Sequence, residues 1–252
     1  MTVTQATGFA RYSITSGHNP HEIVMLRGSG CKWRKCRFCD YHLDYSKSED
    51  EAFELNKKVL DCVEGKYPLL EVINSGSFCD LDERTIEYII KTAKNKDVKE
   101  LSFECHWIHR DLIAPFKKRI QEAGLSVRIK MGVETFDEPF RESYLVKGMP
   151  GVTAEDIAKY ADDVCLLQGI PGQSAESMIS DIETALKYFK RACVNIMTKN
   201  SAKIVPDERV KKIFVEKVYP LYLDNPRLDI LLENGDWGLS KPTENGKVST
   251  EK

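Results

Sequence analysis

The chain has 252 residues, 42% of them hydrophobic and 30% charged, enough for one large domain with a sizeable core. Its 37 basic and 39 acidic residues leave a net charge of −2, which favours a small substrate over a long nucleic acid gripped on a basic face, although tRNA is not excluded. No run of about 18 apolar residues occurs. The N-terminus Met1-Thr-Val-Thr-Gln-Ala-Thr-Gly8 carries no basic and apolar leader, so a cytoplasmic protein without membrane association is expected.

A first strand is predicted at Glu22–Leu26, and the turn Gly28-Ser-Gly30 then opens the segment Cys31-Lys-Trp-Arg-Lys-Cys36-Arg-Phe-Cys39. Further strands are predicted at Leu69–Asn74, Val98–Glu104, Ser126–Met131, Asp163–Gln168 and Cys193–Thr198. Between them run segments of helical periodicity: Ile86, Ile89, Ile90 and Ala93; Leu112, Ile113, Phe116 and Ile120; and, within Glu176–Lys190, Met178, Ile179, Ile182, Ala185, Leu186 and Phe189. Asp207–Val218 reads as another helix, and the apolar run Leu228–Leu232 leads into Glu233-Asn-Gly-Asp-Trp-Gly238.

Strand and helix alternating at this spacing make an α/β protein with a parallel sheet. Six units fall short of the eight that close a barrel. The expected architecture is a partial (β/α)6 TIM-like barrel, open on one side, with a C-terminal helix/strand extension. Residues 1–205 would be the barrel core, 206–240 the extension packing on the barrel mouth, and 241–252 a polar, disordered tail.

Of the eight cysteines, at 31, 36, 39, 62, 79, 105, 165 and 193, only the first three cluster. Cys62, Cys165 and Cys193 read as small buried hydrophobes, and Cys79 and Cys105 as residues facing the cavity at the strand ends. The spacing C-x4-C-x2-C leaves two metal readings open. Three thiolates can hold a [4Fe-4S] cluster and leave one iron free. With His42 added, Cys31, Cys36 and Cys39 could instead close a Cys3His zinc site in a non-catalytic binding module. Placement directly after a strand, where βα barrels carry their chemistry, favours the cluster.

From Ile23 to Asn200 the chain resembles the radical S-adenosylmethionine (SAM) superfamily. Phe38 matches the aromatic residue before the last cysteine of that family's loop, although the first gap is one residue longer than the common C-x3-C-x2-C. The resemblance implies a [4Fe-4S] cluster on Cys31, Cys36 and Cys39. It implies SAM contacts from Asn74, Ser75, Gly76 and Ser77 after the second predicted strand, Glu104 after the third, and Glu134 with Lys147 after the fourth. Gln168 and Gly169 after the fifth complete the set, and Arg141 is a further candidate for the SAM carboxylate.

The reaction implied is reductive cleavage of SAM to a 5′-deoxyadenosyl radical, which abstracts hydrogen from a nucleoside or nucleotide. The electron would come from a flavodoxin or ferredoxin-type donor. The compact chain and its loop spacing are similar to the queuine lyase branch, which implies release of queuine from queuosine 5′-phosphate; another modified nucleoside or tRNA base is the alternative substrate. Tyr41, His42, Asn195, Asn200, Asp236 and Trp237 are candidate substrate contacts, and Cys105 and His106 candidate catalytic residues.

Overall fold

Apolar stretches short enough for strands lie side by side in chain order, and the computed structural model describes them within residues 10–232. The strands are β1 (Tyr12–Thr15), β2 (His21–Leu26), β3 (Leu69–Asn74), β4 (Glu100–Glu104), β5 (Ser126–Glu134), β6 (Asp163–Gln168), β7 (Arg191–Ile196) and β8 (Leu228–Leu231). They form one sheet in the order β1 to β8, with β1 antiparallel to β2 and every later pair parallel. The helices are α1 (Glu49–Leu60), α2 (Glu83–Asn95), α3 (Ile113–Glu122), α4 (Ala154–Ala158), α5 (Ala175–Tyr188), α6 (Glu208–Ile213) and α7 (Tyr219–Tyr222). Side-chain caps fix where several begin: Ser48 accepts from Glu51 N, Asp82 from Thr85 N and Ser174 from Ser177 N.

The sheet is covered on both faces, and β2 and β6 are buried at every residue. Alternation along each strand separates two environments. One phase, including Val24, Leu70, Val72, Leu101, Phe103, Ile129, Val164 and Val194, packs in one core with Ile86, Ile89, Phe116, Ile120, Met178 and Ile182 from the helices. The opposite phase carries His21, Glu71, Glu104, Lys130, Glu134, Cys165, Cys193 and Asn195, and these line an internal cavity.

The partial barrel is as expected, with local differences; β4 begins at Glu100 rather than Val98, and β2 at His21 rather than Glu22. β1 was not predicted; four half-buried residues, Tyr-Ser-Ile-Thr, give no clear pattern on an edge. The run at Leu228–Leu231 is a seventh parallel strand, paired with β7. β5 continues past Met131 to Glu134 through a bulge between Gly132 and Glu134. β7 begins at Arg191 rather than Cys193 and ends at Ile196. Of the extension expected at 206–240, residues 206–232 are described, with Tyr219, Leu223, Leu228 and Asp229 among those lining the cavity. Asp236, Trp237 and the expected tail at 241–252 lie outside the described residues. No helix among the described residues is long and apolar enough to cross a membrane.

One buried carboxylate ties the sheet's first edge together. Glu22 on β2 is fully buried and accepts from Tyr12 Oη on β1 (2.9 Å) and from Glu64 N (2.7 Å) and Lys66 N (2.6 Å) in the α1–β3 connection. Glu22→Ala would orphan all three donors, and we expect it to cost about 3 kcal/mol of stability in urea denaturation. A loss below about 0.5 kcal/mol, the range of ordinary surface substitutions, would remove this carboxylate from the account of the edge.

Candidate active site

The segment Cys31–Cys39 has no regular secondary structure, so other parts of the chain must hold it. Arg37 N donates to Leu145 O (3.0 Å), and Ile204 N donates to Arg37 O (2.8 Å). Trp33 Nε1 donates to Val146 O (2.8 Å), and Asn200 Nδ2 to Phe38 O (2.8 Å). Ser201 donates to Asp40 Oδ2 from both its N (2.9 Å) and its Oγ (2.8 Å). Phe38 packs with Leu145, Leu167, Ile170, Met197 and Ile204 in a small apolar cluster of its own. Two glycines permit the close packing. A Cβ on Gly148 (φ +80°) would overlap the Trp33 ring, and one on Gly76 would lie 2.2 Å from Asp80 Oδ2 and 3.0 Å from Cys31 Cα.

The three cysteines line a cavity of about 650 Å³ on the inner face of the sheet. Phe38, Asn74, Ser75, Gly76, Glu104, Glu134 and Lys147 line it with them, as do Tyr41, His42, Cys105, His106, Asn195 and Asn200. Ser77, Gln168 and Gly169 do not. Ser77 is buried beneath, its Oγ accepting from His106 N (2.9 Å). Cys165 and Leu167 face the cavity, so strand alternation puts Gln168 on the opposite phase, fully buried with neither amide atom partnered among the described residues. Gly169 O accepts from Asp207 N (2.9 Å), at the start of α6. Arg141, fully buried, is committed to Glu142 Oε1 (2.9 Å), Met149 O (2.9 Å) and Val152 O (2.8 Å), and it too lies outside the cavity.

The scattered cysteines divide differently from expectation. Cys165 and Cys193 are buried, yet they face the cavity from paired positions on β6 and β7. Cys62 is exposed, because it falls just beyond the Asp61 cap of α1. Cys105 lines the cavity and Cys79 does not.

The cavity wall is charged, and its charges are mostly paired. Lys147 Nζ lies 2.7 Å from Glu134 Oε1, and Glu134 holds that position with φ at +69°, a conformation costly for a side chain with a Cβ. Lys130 Nζ lies 2.5 Å from Glu71 Oε1, and His21 Nε2 3.3 Å from Glu71 Oε2. Burial opposes ionisation of Glu71, but Lys130 and His21 outweigh it and hold its carboxyl down at about 2. His21, Glu71 and Lys130 were missed in the sequence. Their signal is a polar residue at alternate positions of an otherwise apolar strand, as in Leu70-Glu71-Val72 and Ile129-Lys130-Met131.

His106 is held neutral, because burial and then Lys147 lower its pKa to about 3. Its Nδ1 accepts from Ile108 N, and its Nε2 lies 2.9 Å from Lys147 O, as a donor in the neutral ring. Both ring nitrogens are thus occupied by backbone groups, Nδ1 by that of Ile108 and Nε2 by that of Lys147. The Cys105 thiol is pushed up to about 12, chiefly by burial.

The donor set suits a cluster. Burial pushes the Cys36 thiol up to about 11 and the Cys39 thiol to about 12, so a metal centre must supply the charge that deprotonates them. A single zinc would draw its donors to within about 2.3 Å of itself. Among the described residues, Cys31, Cys36 and Cys39, with or without His42, form no set of ligand atoms within 4.8 Å of one another. A cubane takes each thiolate on a different iron and so accepts the wider spread.

A solved structure, of a queuine lyase from Clostridium spiroforme bound to SAM and queuine, is similar over 88% of this chain and 95% of that chain, with a TM-score of 0.83 and 36% sequence identity. The chain belongs to the queuine lyase family of radical SAM enzymes. Membership in an enzyme family displaces the alternative of a non-catalytic Cys3His zinc module. An uncharacterized protein from Methanocaldococcus jannaschii is 26% identical over 200 residues, 69% of this chain and 53% of its own length. The chain therefore spans about half the length of that curated relative. No protein-family model matches the chain.

Glu104, which lines the cavity, is held away from its ordinary ionisation. Burial, only partly offset by Lys130, raises its carboxyl from 4.5 to about 7, with Glu71 and Glu134 pushing the same way and Lys147 opposing. The folded protein then binds a proton that the unfolded chain has released. Stability from this group is complete below about pH 4.5 and declines as pH rises through about 7. Glu104→Gln should flatten that decline when urea midpoints are compared with wild type across this window; identical pH profiles would show that Glu104 ionises normally.

Proposed function

We propose that this enzyme binds SAM at the strand ends beside the Cys31–Cys39 loop and releases queuine from queuosine 5′-phosphate by hydrogen abstraction. The reading is carried by one observation: the cysteine loop and the polar inner face of the sheet share a single cavity of about 650 Å³. Its overall likeness to a queuine lyase bound to SAM and queuine supports the choice of both ligands. Cys31, Cys36 and Cys39 would hold a [4Fe-4S] cluster, which, once reduced by an external one-electron donor, would supply the reductive chemistry that cleaves SAM.

The chain's own residues bind, orient and exclude water. Lys147 offers an ammonium to the SAM carboxylate, and Glu134 a carboxylate to the ribose hydroxyls. Their 2.7 Å contact holds both before SAM arrives, and His106 fixes the Lys147 backbone. The bare backbone at Gly76, with Asn74 and Ser75, lets the SAM amino group approach closely. Phe38 and its apolar cluster keep water from the radical. Tyr41, His42 and Asn195 meet the nucleotide together with the Glu71–Lys130 pair deeper in the wall. Asn200 acts through the loop, since its amide nitrogen is bonded to Phe38 O. Exposed Lys32, Arg34 and Lys35 in the loop suit an acidic flavodoxin or ferredoxin-type donor.

With anaerobically assembled, reduced enzyme and SAM, queuosine 5′-phosphate should stimulate formation of 5′-deoxyadenosine together with free queuine. Queuosine and queuosine-containing tRNA serve as the other arms; release from tRNA alone would reassign the substrate, and no stimulation by any of the three would end the proposal. Cys36→Ala should abolish iron incorporation while the far-ultraviolet circular dichroism stays that of wild type, because the core is built without the loop. Full iron retention in that variant would remove Cys36 from the ligand set.

A further inference from the structure

A second cluster of metal-ligating side chains lies apart from the cavity. Cys79 and Asp80 sit in the short 3-10 turn Phe78–Asp80 that follows β3, and His109 in the turn Trp107–Leu112 that follows β4. One ligand atom from each of the three lies within 4.8 Å of the others. None of the three lines the cavity.

Two of these residues, buried Asp80 and half-buried His109, each have a buried atom without a partner among the described residues. Asp80 is only 4% exposed, and among the described residues its Oδ1 has no hydrogen-bond partner; the same is true of His109 Nε2. Asp80 is otherwise fully engaged. Its Oδ2 accepts from Ser77 N (2.8 Å), and its backbone O accepts from Ser29 N (2.9 Å). One carboxylate oxygen is thus anchored by the backbone, while the other is buried with no partner among the described residues. Orphaned buried atoms of this kind need a reason, because burying a polar atom without a partner is costly.

We propose that Cys79, Asp80 and His109 form a binding site for one zinc ion, separate from the iron site. The donor types are those zinc takes, and three protein ligands leave a fourth tetrahedral position for water. A thiolate and a carboxylate balance the charge of the ion. Zinc there would pin the β3 and β4 turns to each other directly behind the cysteine loop, since Gly76 packs between Asp80 and Cys31. Its role would be to brace that loop, not to carry out the reaction.

The test uses the enzyme with its iron site filled, so that zinc cannot occupy Cys31, Cys36 and Cys39. Protein grown with added zinc and passed through a chelator should keep one zinc per chain beside its iron. X-ray absorption at the zinc edge should show one sulfur neighbour among lighter ones. Cys79→Ser and His109→Gln should each weaken zinc about tenfold or more in chelator competition, with iron content unchanged. Iron-loaded wild type that holds no zinc, zinc without a sulfur neighbour, or variants that bind zinc like wild type would each overturn the site. If a variant fails to assemble, the wild-type absorption spectrum decides alone: a sulfur neighbour upholds the site and its absence refutes it. These readouts are independent of SAM cleavage, so they stand or fall apart from the queuine reading.

Discussion

The irregular loop Cys31–Cys39 is the feature on which the rest depends, and it is held from outside itself. Backbone donors and acceptors of Arg37 and Phe38 are met by Leu145, Asn200 and Ile204, and the Trp33 indole is met by Val146. These partners follow β5 and β7, on strands not adjacent to β2. A loop without its own helix or strand has backbone groups that must be satisfied somewhere. Here they are satisfied by the ends of distant strands, so the positions of the thiols are a property of the whole partial barrel. Ser29 and Gly76 extend the same constraint to the turn after β3.

The inner face of the sheet poses the opposite problem, that of burying charge. Among apolar residues it carries His21, Glu71, Glu104, Lys130, Glu134 and Asn195, where a closed barrel would pack branched apolar side chains. Pairing solves this for Glu71 with Lys130 and for Glu134 with Lys147. Glu104 is treated differently, its carboxyl drifting toward the neutral form. The result is a cavity preloaded with fixed cations and anions, suited to a polar ligand such as a nucleotide. Radical chemistry also needs dryness, and the Phe38 cluster supplies an apolar margin beside the thiols. Polar wall and apolar margin meet at Lys147, whose ammonium lies 5.7 Å from the Phe38 ring centroid.

Several predicted site residues have polar atoms engaged with neighbouring backbone. His106 looked like a catalytic imidazole, but both its nitrogens are engaged with backbone. Asn200 looked like a substrate contact, but its amide supports the cysteine loop. Arg141 and Ser77 are buried in the same supporting layer. A polar residue near a strand end reads the same in sequence whether it points at the ligand or at the loop that holds it.

Local pattern determined a good deal of this protein. Alternating strand and helix periods gave the partial barrel, because burial of one face imposes a repeat on each element. The spacing of Cys31, Cys36 and Cys39 after a strand gave the metal loop, because three thiolates so close have few other uses. Tertiary structure alone decided the rest. Strand phase put Glu71, Lys130 and Cys193 inside the cavity and Gln168 outside it, and phase depends on which face the helices cover. β1 and β8 exist as strands because neighbouring edges pair with them, not because their four residues demand it. The contacts of Arg37 with Leu145 and Ile204, like the meeting of Asp80 with His109, join residues far apart in the chain. Only the folded backbone brings such partners together, since no local spacing records which distant carbonyl will satisfy a given donor.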